Sequence, residues 1–496
     1  MALQIFNSYS RQKEIFTPIT PGHAGMYVCG PTVSGESHLG HARPYITFDV
    51  IYRYLLHKGF KVRYVRNITD AGHFEEEGRE AEDKVSKKAL LEKLEPMELV
   101  QKYSNLFHWA MLQFNCLEPS IEPTATGHII EQISMIEKII EEGYAYVVNG
   151  SVYFDVKKYA EKYPYGKLSG RVIEDLLETT RNLDGQEEKR DKADFALWKK
   201  APPEHIMRWK SPWGEGFPGW HIECSAMATK YLGTRFDIHG GGMDLQFPHH
   251  ESEIAQSTIC NHEAPVNYWV HNNMITIDGR KMGKSYNNVI KLTELFTGTH
   301  PLLTQAYSPM TVRFFILQSH YRSTLDFSND ALLAAEKAFK RMWEAHETLQ
   351  QLPLPPNESG NDPALESKLN GLLMELESFM DDDFNSAKVL ANLFEIVPVI
   401  NSFKDKILST HDVGSGLIKL MKQHFKTYLE DIFGLKNSSE ADNDKLKAVM
   451  NLLIDIRKES KSKKDFITSD KIRNQLLEQG IVLKDEKGGD MSWYIQ

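Results

Sequence analysis

The sequence predicts an α/β fold, in which a parallel-sheet domain is split by an insertion and is followed by a helical bundle and a small C-terminal module. Three observations support this prediction. Short β-rich runs alternate with helical runs near the N-terminus and again after about residue 204, which is typical of a parallel sheet. After about residue 328 the pattern becomes helical, and two polar linkers divide that part of the chain.

The first parallel unit is predicted within residues 25–69. "GMYVCG" favours a short strand, "ARPYITFDVIYRYLLHKG" has apolar residues at helical spacing with Gly59 placed to end the helix, and "KVRYVRNIT" again favours a strand. From about 204, "GWHIECSAMATKYLG" and "FDIHGGGMDLQFPHHESEIAQS" indicate short strand, glycine loop and helix. In a parallel α/β domain a ligand is expected at the first strand-to-helix turn.

Five regions follow from these patterns. The helical part contains "ALLAAEKAFKRMWEAHETL" and "ALESKLNGLLMELESFM", separated by the Pro-rich linker "LPLPPNESGNDP", and the polar linker "KNSSEADNDK" precedes the last module. The turn-rich and charged composition around "YPYGKLSG" indicates an insertion. The predicted regions are an α/β domain at 1–118 and 204–275, an insertion at 119–203, a loop region at 276–328, a helical bundle at 329–436 and a module at 437–496.

Composition excludes several classes of protein. With 496 residues, of which 41% are hydrophobic and 25% charged, the chain is expected to form several packed domains rather than remain disordered. It contains no signal-peptide pattern and no apolar run of the roughly 18 residues that span a bilayer, so we expect a cytoplasmic protein without a membrane partner. The net charge of −10 leaves room for a local basic face such as "RKESKSKK", which is either an exposed helix face or an RNA contact.

The stretch "FPHHESE" is a candidate metal site. If Pro248 opens a helix, His249 and Glu253 lie at i and i+4 on one face and form a usable pair of ligands. The alternative is a helix start whose acids favour the helix dipole. The order His250-Glu251 resembles a zinc-protease helix, but Ile254 stands where that motif needs its second histidine, which excludes a zinc protease.

Two of the four cysteines could complete such a site. Cys29 ends the first strand and Cys224 lies in "GWHIECSAM", and two thiolates with an imidazole and a carboxylate suit zinc, although the spacing is not that of a compact finger. Cys116 and Cys260 are expected to be buried thiols without a special role. The wide, irregular spacing of the cysteines excludes a disulfide framework.

The turn "SHLGHAR" is a candidate phosphate site. His38 and His41 flank Gly40 at the start of the first helix, where imidazoles can hold phosphate oxygens and a glycine lets a flat purine approach the backbone. "DIHGGGMD" is a second candidate, because its three glycines permit close approach of a ligand and Asp244 could accept hydrogen bonds from ribose hydroxyls. The alternative for both stretches is an ordinary polar turn.

The loop "DGRKMGKS" is similar to a Walker A loop, but only three residues separate Gly279 from Gly283, where that motif requires four. This spacing excludes a P-loop NTPase. What remains is a glycine-containing loop in which Lys281 and Lys284 can neutralise charge on a phosphate chain, or an ordinary basic surface turn.

Taken together and in order, seven stretches resemble the cysteinyl-tRNA synthetases, a family of class I aminoacyl-tRNA synthetases: "YVCGPT", "HLGH", "RNITD", "GWHIECSAM", "FDIHGGGMDLQFPHHESEIAQS", "KMGKS" and "MDDDFN". The resemblance extends over nearly the whole chain. It implies a Rossmann-like catalytic domain, a KMSKS loop with a stem-contact region at 276–328, and an anticodon-binding module at the C-terminus. The implied monomer activates L-cysteine with ATP to cysteinyl-adenylate and transfers the cysteinyl group to the 3′ end of tRNA(Cys).

The resemblance also implies roles for individual residues. Cys29, Cys224, His249 and Glu253 would bind one Zn²⁺ per chain, leaving His250 and Glu251 as helix neighbours rather than ligands. Zinc would select the thiolate of cysteine over the hydroxyl of serine, so no editing domain is expected. The ATP site, with Mg²⁺ held mainly by phosphate and water, would comprise His38, Gly40, His41, Asp244, Lys281 and Lys284, of which the histidines and lysines are the catalytic residues. Thr69, Trp220 and His239 match positions around the amino-acid pocket.

The sequence departs from the family pattern in four stretches. "HLGH" stands where class I enzymes have His-Ile-Gly-His, a mild change that should leave the histidines in place. Gly283 replaces the first serine of Lys-Met-Ser-Lys-Ser, and "YNN" follows where Leu-Gly-Asn is usual. In the last module Lys461 and Phe466 replace an arginine and a tryptophan, which leaves the anticodon contacts open. Two rival functions remain: a cysteine-activating ligase of thiol biosynthesis, which would lack the anticodon module, and a non-catalytic RNA-binding protein derived from a synthetase.

Overall fold

The computed structural model describes residues 2–71, 95–171, 188–203, 205–283, 286–463, 465–478, 481–485 and 491–495. The chain divides into two compact units, residues 1–435 and 436–496. Among the described residues, no helix is both long enough and apolar enough to cross a bilayer.

The elements of the larger unit alternate between strands and helices up to residue 327 and are helical afterwards. Its strands are β1 (Gln4–Asn7), β2 (Gln12–Ile15), β3 (His23–Val28), β4 (Lys61–Arg66), β5 (Ala145–Val148), β6 (Ser151–Phe154), β7 (Phe195–Lys200), β8 (Trp209–Ser211), β9 (Gly214–Pro218), β10 (Phe236–Gly242), β11 (Val266–Asn272), β12 (Ile275–Ile277), β13 (Arg280–Lys281) and β14 (Leu325–Phe327). Its α-helices are α1 (Leu39–His57), α2 (Pro96–Gln113), α3 (Ile129–Glu141), α4 (Val156–Ala160), α5 (Trp220–Leu232), α6 (His249–Asn261), α7 (Leu292–Thr297), α8 (Pro309–Leu317), α9 (Asn329–Gln351), α10 (Pro363–Asp381), α11 (Ser386–Lys404) and α12 (Gly414–Lys426).

A four-stranded parallel sheet in the order β11-β10-β3-β4 forms the centre of the α/β domain. The predicted strand-helix-strand unit is confirmed as β3, α1 and β4, and Gly59 follows α1 with a φ of +85°, a conformation that glycine adopts readily. Strand β10 joins this sheet between β3 and β11, although the insertion separates it from β4 in the chain. The carboxyl ends of these parallel strands therefore meet at one edge, where α/β proteins bind their ligands.

The three glycines of "DIHGGGMD" end a strand instead of forming the predicted loop. Gly240, Gly241 and Gly242 pair with Val270, His271 and Asn272 as part of β10. A Cβ atom on Gly240 would lie 2.2 Å from the ring of Phe48 on α1, so the missing side chain lets helix and sheet approach each other. The sequence signal of a flexible turn was misleading here because glycine serves close packing at this position.

The insertion is an antiparallel sheet in the order β5-β6-β7-β9-β8, and its apolar core, which includes the fully buried Trp198, continues into α5 and α6. Its last strand extends to Pro218, beyond residue 204, where the sequence pattern predicts that the parallel domain resumes. Strand β9 has the sequence GEGFP, whose two glycines do not favour a strand, but pairing with β7 places it in the sheet.

The helical part contains the two predicted helices within α9 and α10, which confirms them. The turn between α10 and α11 belongs to "MDDDFN", and its Asp383 has a φ of +67°. The buried Asp383 carboxylate accepts hydrogen bonds from the Phe6 amide at 2.9 Å, the Tyr321 hydroxyl at 2.6 Å and the Arg322 guanidinium at 2.6 Å. This carboxylate therefore joins the N-terminal hairpin and the loop after α8 to the helical part.

The smaller unit contains two helices, α13 (Ser438–Ser462) and α14 (Phe466–Glu478), and an antiparallel hairpin of β15 (Ile481–Asp485) and β16 (Met491–Ile495). The ring of Phe466, at the start of α14, is 61% exposed. Lys461 lies in the last turn of α13.

Candidate metal centre and active site

Four buried side chains converge at the carboxyl edge of the parallel sheet. Cys29 follows β3, Cys224 lies on α5, and His249 and Glu253 lie on the first turns of α6. Their ligand atoms all lie within 4.8 Å of one another, and we call these four residues the donor cluster. Helix α6 begins directly after Pro248, as predicted, and its period places His249 Nε2 3.1 Å from Glu253 Oε1.

A second group of four overlaps the donor cluster, because His239 and His250 can stand in place of Cys224 and His249. His250 Nε2 lies 3.2 Å from Cys29 Sγ, and His239 Nε2 lies 2.9 Å from Glu253 Oε2. That His250 is a helix neighbour rather than a ligand stays a prediction, and its ring faces the donor cluster. Glu251, in contrast, accepts hydrogen bonds from the backbone and hydroxyl of Ser169, each at 3.1 Å.

Outer partners hold the imidazoles of the site in place. His221 Nδ1 lies 3.0 Å from His249 Nδ1, on the side of that ring opposite Glu253. His250 Nδ1 lies 2.8 Å from His271 Nε2, and His271 Nδ1 lies 2.8 Å from Ser8 Oγ. Sequence reasoning missed the roles of His221, His271 and Ser8. His221 lies inside a quoted motif, whereas His271 sits in β11 without any local signal.

Burial and mutual charge set the protonation of the donor cluster. Burial alone would raise the pKa of Glu253, but His239 and His249 outweigh it and lower that pKa to about 2. Burial would lower the pKa of His249, but Glu253 and Cys224 outweigh it and raise that pKa to about 10. Because metal ligands must be deprotonated, a bound cation would displace the proton of His249.

The two thiols of the donor cluster differ in their pKa. Burial raises the pKa of Cys29 well above its usual value, whereas a hydrogen bond from Cys29 lowers the pKa of Cys224 to about 7. The two sulfur atoms are 3.9 Å apart and both side chains are buried. Two sulfurs with one imidazole nitrogen and one carboxylate oxygen fit a borderline-soft cation such as Zn²⁺.

The residues expected around an amino-acid pocket border this cluster. The ring of Trp220 lies 4.3 Å from that of His249, and the ring of His239 stacks on Trp269 at 4.5 Å. Thr69 is buried, with its hydroxyl 3.2 Å from Glu223 Oε2. Trp220 and His239 therefore contact the donor cluster directly, and Thr69 is connected to it through Asn67, whose Nδ2 lies 3.1 Å from the Thr69 hydroxyl and whose Oδ1 lies 3.7 Å from Cys224 Sγ.

The HLGH turn lies at the start of α1. The rings of His38 and His41 stack at 3.8 Å, and His41 Nδ1 accepts a hydrogen bond from the His38 amide at 3.1 Å. Burial, with a smaller contribution from His38, lowers the pKa of His41 to about 3. His41 is therefore neutral at pH 7 and can act on a phosphate as a hydrogen-bond donor, not as a cation.

The KMGKS loop begins at Lys281, which is exposed and is the last residue of β13. Lys284 lies outside the described residues. Met282 reaches the HLGH turn, since a Cβ atom on Gly40 would lie 2.6 Å from its Cε. Asn287 stands where the family pattern has glycine and has a φ of +51°, which asparagine tolerates better than most residues. The side chain of Tyr286 is 61% exposed.

Asp244, the last predicted nucleotide ligand, lies on a 3₁₀ turn directly after β10 and is exposed. A Cβ atom on Gly242 would lie 2.3 Å from its Oδ1, so the glycine makes room for this carboxylate. The partly exposed thiols Cys116 and Cys260 stand apart from the cluster, less buried than expected, and Cys116 Sγ lies 3.6 Å from Arg313 Nη1.

Comparison with known proteins gives two family matches. Residues 15–337 match the family of tRNA synthetases class I (C) catalytic domain, and residues 376–438 match the DALR domain. The chain is 56% identical to a cysteine–tRNA ligase of Bacteroides thetaiotaomicron and 55% identical to one of Bacteroides fragilis, in each case over 98% of both chains.

Solved structures share the fold at low sequence identity. A Mycobacterium tuberculosis methionyl-tRNA synthetase in complex with methionyl-adenylate matches with a TM-score of 0.59 at 13% identity, covering 83% of this chain and 92% of that one. An Agrobacterium radiobacter LeuRS in a ternary complex with tRNA and LeuAMS matches with a TM-score of 0.57 at 11% identity, covering 84% of this chain and 85% of that one. These likenesses show the fold alone.

Proposed function

The chain belongs to the cysteine–tRNA ligases of the class I tRNA synthetases, and from this premise we propose that it activates L-cysteine with ATP and transfers it to the 3′ end of tRNA(Cys). The observation that supports this function most directly is the buried donor cluster at the carboxyl edge of the parallel sheet. A thiol-selecting metal site at this position suits an enzyme that must distinguish cysteine from serine.

We assign Zn²⁺, one per chain, to Cys29, Cys224, His249 and Glu253. One comparison favours this set over the overlapping one: Glu253 Oε1 lies 3.1 Å from His249 Nε2 but 3.9 Å from His250 Nε2, while Oε2 is engaged by His239 at 2.9 Å. The far nitrogen of His249 is held by His221 at 3.0 Å. Metal ligands are commonly held by such outer hydrogen bonds. Zinc bound here would take the substrate thiolate as a further ligand, which an alcohol provides poorly.

The pocket residues then orient the amino acid. Trp220 would cover the metal-bound side of the substrate, and Thr69 and His239 would supply polar contacts at the buried end of the pocket. Because these side chains are already packed against the cluster, little ordering is needed when cysteine enters.

The adenylate-forming step uses the residues predicted for the ATP site. We propose that His38, His41, Lys281 and Lys284 stabilise charge on the phosphates as the cysteine carboxylate attacks the α-phosphorus. Gly40 borders the ATP site, Asp244 accepts hydrogen bonds from the ribose hydroxyls, and Mg²⁺ accompanies ATP with mostly phosphate and water ligands. Neutral His41 would donate a hydrogen bond to a phosphate oxygen.

We place tRNA recognition on the DALR domain and the smaller unit. Phe466, at 61% exposure, is available to stack on a base, and Lys461 lies in the preceding turn of helix. Such a module is expected to be missing from the thiol-biosynthesis ligase, which disfavours that rival. We expect a monomer that acts in the cytoplasm.

The test is ATP–pyrophosphate exchange with cysteine and with serine, before and after zinc removal by a chelator, together with charging of tRNA(Cys). We expect exchange with cysteine alone, loss of exchange without zinc, recovery on adding zinc, and charged tRNA. Exchange without charging would indicate the thiol-biosynthesis ligase. Folded, zinc-loaded protein that gives no exchange would leave the non-catalytic RNA-binding function.

A further inference from the structure

The side chain of Asn288 makes a two-point contact with the main chain of the KMGKS loop. Its Oδ1 accepts a hydrogen bond from the Gly283 amide at 2.8 Å, and its Nδ2 donates to the Lys281 carbonyl at 3.2 Å. Asn288 is only 8% exposed. Because these two backbone groups lie on either side of Met282, the carboxamide fixes the backbone on both sides of that residue.

Met282, held in this way, packs on the HLGH turn. A Cβ atom on Gly40 would meet Met282 Cε at 2.6 Å and the His38 ring at 3.1 Å. The absence of a side chain on Gly40 therefore leaves the space into which Met282 fits. The loop and the histidine turn are in direct contact at this point.

A second connection runs through the segment that follows Asn288. The Leu39 amide donates to the Ile290 carbonyl at 2.9 Å, and the Leu292 amide donates to the Ser37 carbonyl at 2.9 Å. These bonds form an antiparallel bridge between His38 and Lys291. The backbone two residues after Asn288 is thus already fixed against the HLGH turn.

We propose that Asn288 is a positioning residue for phosphate activation, which fixes the backbone of Lys281 relative to His38 and His41 without touching the substrate. The carboxamide transfers the position of the anchored segment at Ile290–Leu292 to the loop that carries the lysine. This inference rests on the proposed function, since it assumes that Lys281 and the two histidines act on the same phosphates.

The test is a double-mutant cycle in cysteine-dependent ATP–pyrophosphate exchange with full-length, zinc-loaded protein. In Asn288→Ala, kcat is expected to fall about tenfold or more, because misplaced charge stabilises the transition state poorly. The KM for cysteine and the zinc content should stay at the wild-type level, since the donor cluster is unchanged. A variant that is only less stable would not produce this split between kcat and the KM for cysteine.

The cycle identifies the residue through which Asn288 acts. Lys281→Ala alone should lower kcat. Adding Asn288→Ala to that variant should lower kcat further by about twofold or less, because the two changes affect one interaction. Asn392→Ala is the matched control, as this asparagine on α11 also donates to a main-chain carbonyl, that of Leu372 at 3.0 Å. It should leave exchange unchanged.

Each other outcome decides against the inference. Wild-type kinetics in Asn288→Ala would overturn it, as would independent losses in the double variant. If alanine at residue 288 lowers the thermal midpoint more than Asn392→Ala does, Asn288→Ser is measured in its place by the same criteria. Wild-type protein without exchange would refute the proposed function itself, and the inference with it.

Discussion

The protonation states of single residues in the donor cluster are set by the balance between burial and charge. Glu253 stays ionised in a buried position because His239 and His249 face its two oxygens at 2.9 and 3.1 Å. A buried carboxylate without such partners would be protonated instead. The same arrangement keeps a proton on His249 until a cation takes its place, so the cluster is ready to exchange a proton for a metal.

The assignment of Cys224 predicts a loss of metal in Cys224→Ser. A hydroxyl is a poor zinc ligand at neutral pH, so the variant should lose most of the bound zinc during dialysis against a mild chelator. Wild-type protein should retain about one zinc per chain, because two thiolates, an imidazole and a carboxylate all hold the ion. Metal content by elemental analysis is the measurement.

Cys260→Ser is the control for that experiment. Cys260 lies on α6, the same helix as His249 and Glu253, but outside the donor cluster. Its variant should retain zinc at the wild-type level. Equal retention by both variants would refute Cys224 as a ligand and favour the group that contains His239 and His250.

At the scale of elements, the close contact between α1 and β10 brings the HLGH turn to the edge of the sheet. The contact depends on Gly240, whose Cα faces the ring of Phe48 with no room for a side chain. Phe48 is fully buried, so it cannot turn out into solvent. The helix that carries the histidines and the strand that leads to Asp244 are therefore held together by a glycine and an aromatic ring.

Gly240→Ala is expected to destabilise the protein by about 1–3 kcal/mol, because an added methyl group overpacks a close contact. Replacing Phe48 by leucine in the same chain should recover part of the loss. The free energy of unfolding from urea denaturation is the measurement. A change below about 0.5 kcal/mol, the range of neutral surface substitutions, would contradict the role of this contact.

Gly371→Ala provides a control of opposite sign. Gly371 is exposed in the interior of α10, and a Cβ atom there meets nothing within 4 Å. The same substitution should stabilise the protein by about 0.5–1 kcal/mol, through the higher helix propensity of alanine. The pair separates the steric effect at Gly240 from the general effect of replacing glycine.

At the scale of the larger unit, the buried side chain of Arg313 joins elements of the α/β part to the end of the helical part. Arg313 on α8 is fully buried against Asp49 on α1. Its guanidinium also donates to the carbonyls of Phe114 at 2.8 Å and Phe433 at 2.5 Å. Four separate segments of the chain thus meet at one side chain.

Arg313→Met is expected to cost about 3–5 kcal/mol, because it leaves the Asp49 carboxylate buried without its partner. Asp49→Asn combined with Arg313→Met should recover part of that loss, since the unpaired charge is then absent. Guanidinium denaturation followed by circular dichroism measures both variants. An equal loss in the single and double variants would show that the lost carbonyl contacts, not the charge, dominate.

The sequence by itself determined the fold class and the main elements. The strand-helix-strand unit around α1, the helices α9 and α10, and the start of α6 at His249 all follow from local periodicity and from Pro248 and Gly59. Motifs also named all members of the donor cluster, because helical spacing places His249 and Glu253 on one face and the family resemblance supplies the two cysteines. These signals come from residues that are close together in the chain, so they can be recognised in the sequence without the fold.

Tertiary structure alone decided which side chains surround these residues. It placed His250, His271 and Ser8 in contact, extended the insertion to Pro218, and showed that Gly240 packs on a helix. It also revealed the contact of Asn288 with the KMGKS loop. Such contacts join residues that are far apart in the chain or depend on the path of a loop, and the packing of the whole sheet, not the local pattern, brings them within hydrogen-bonding distance.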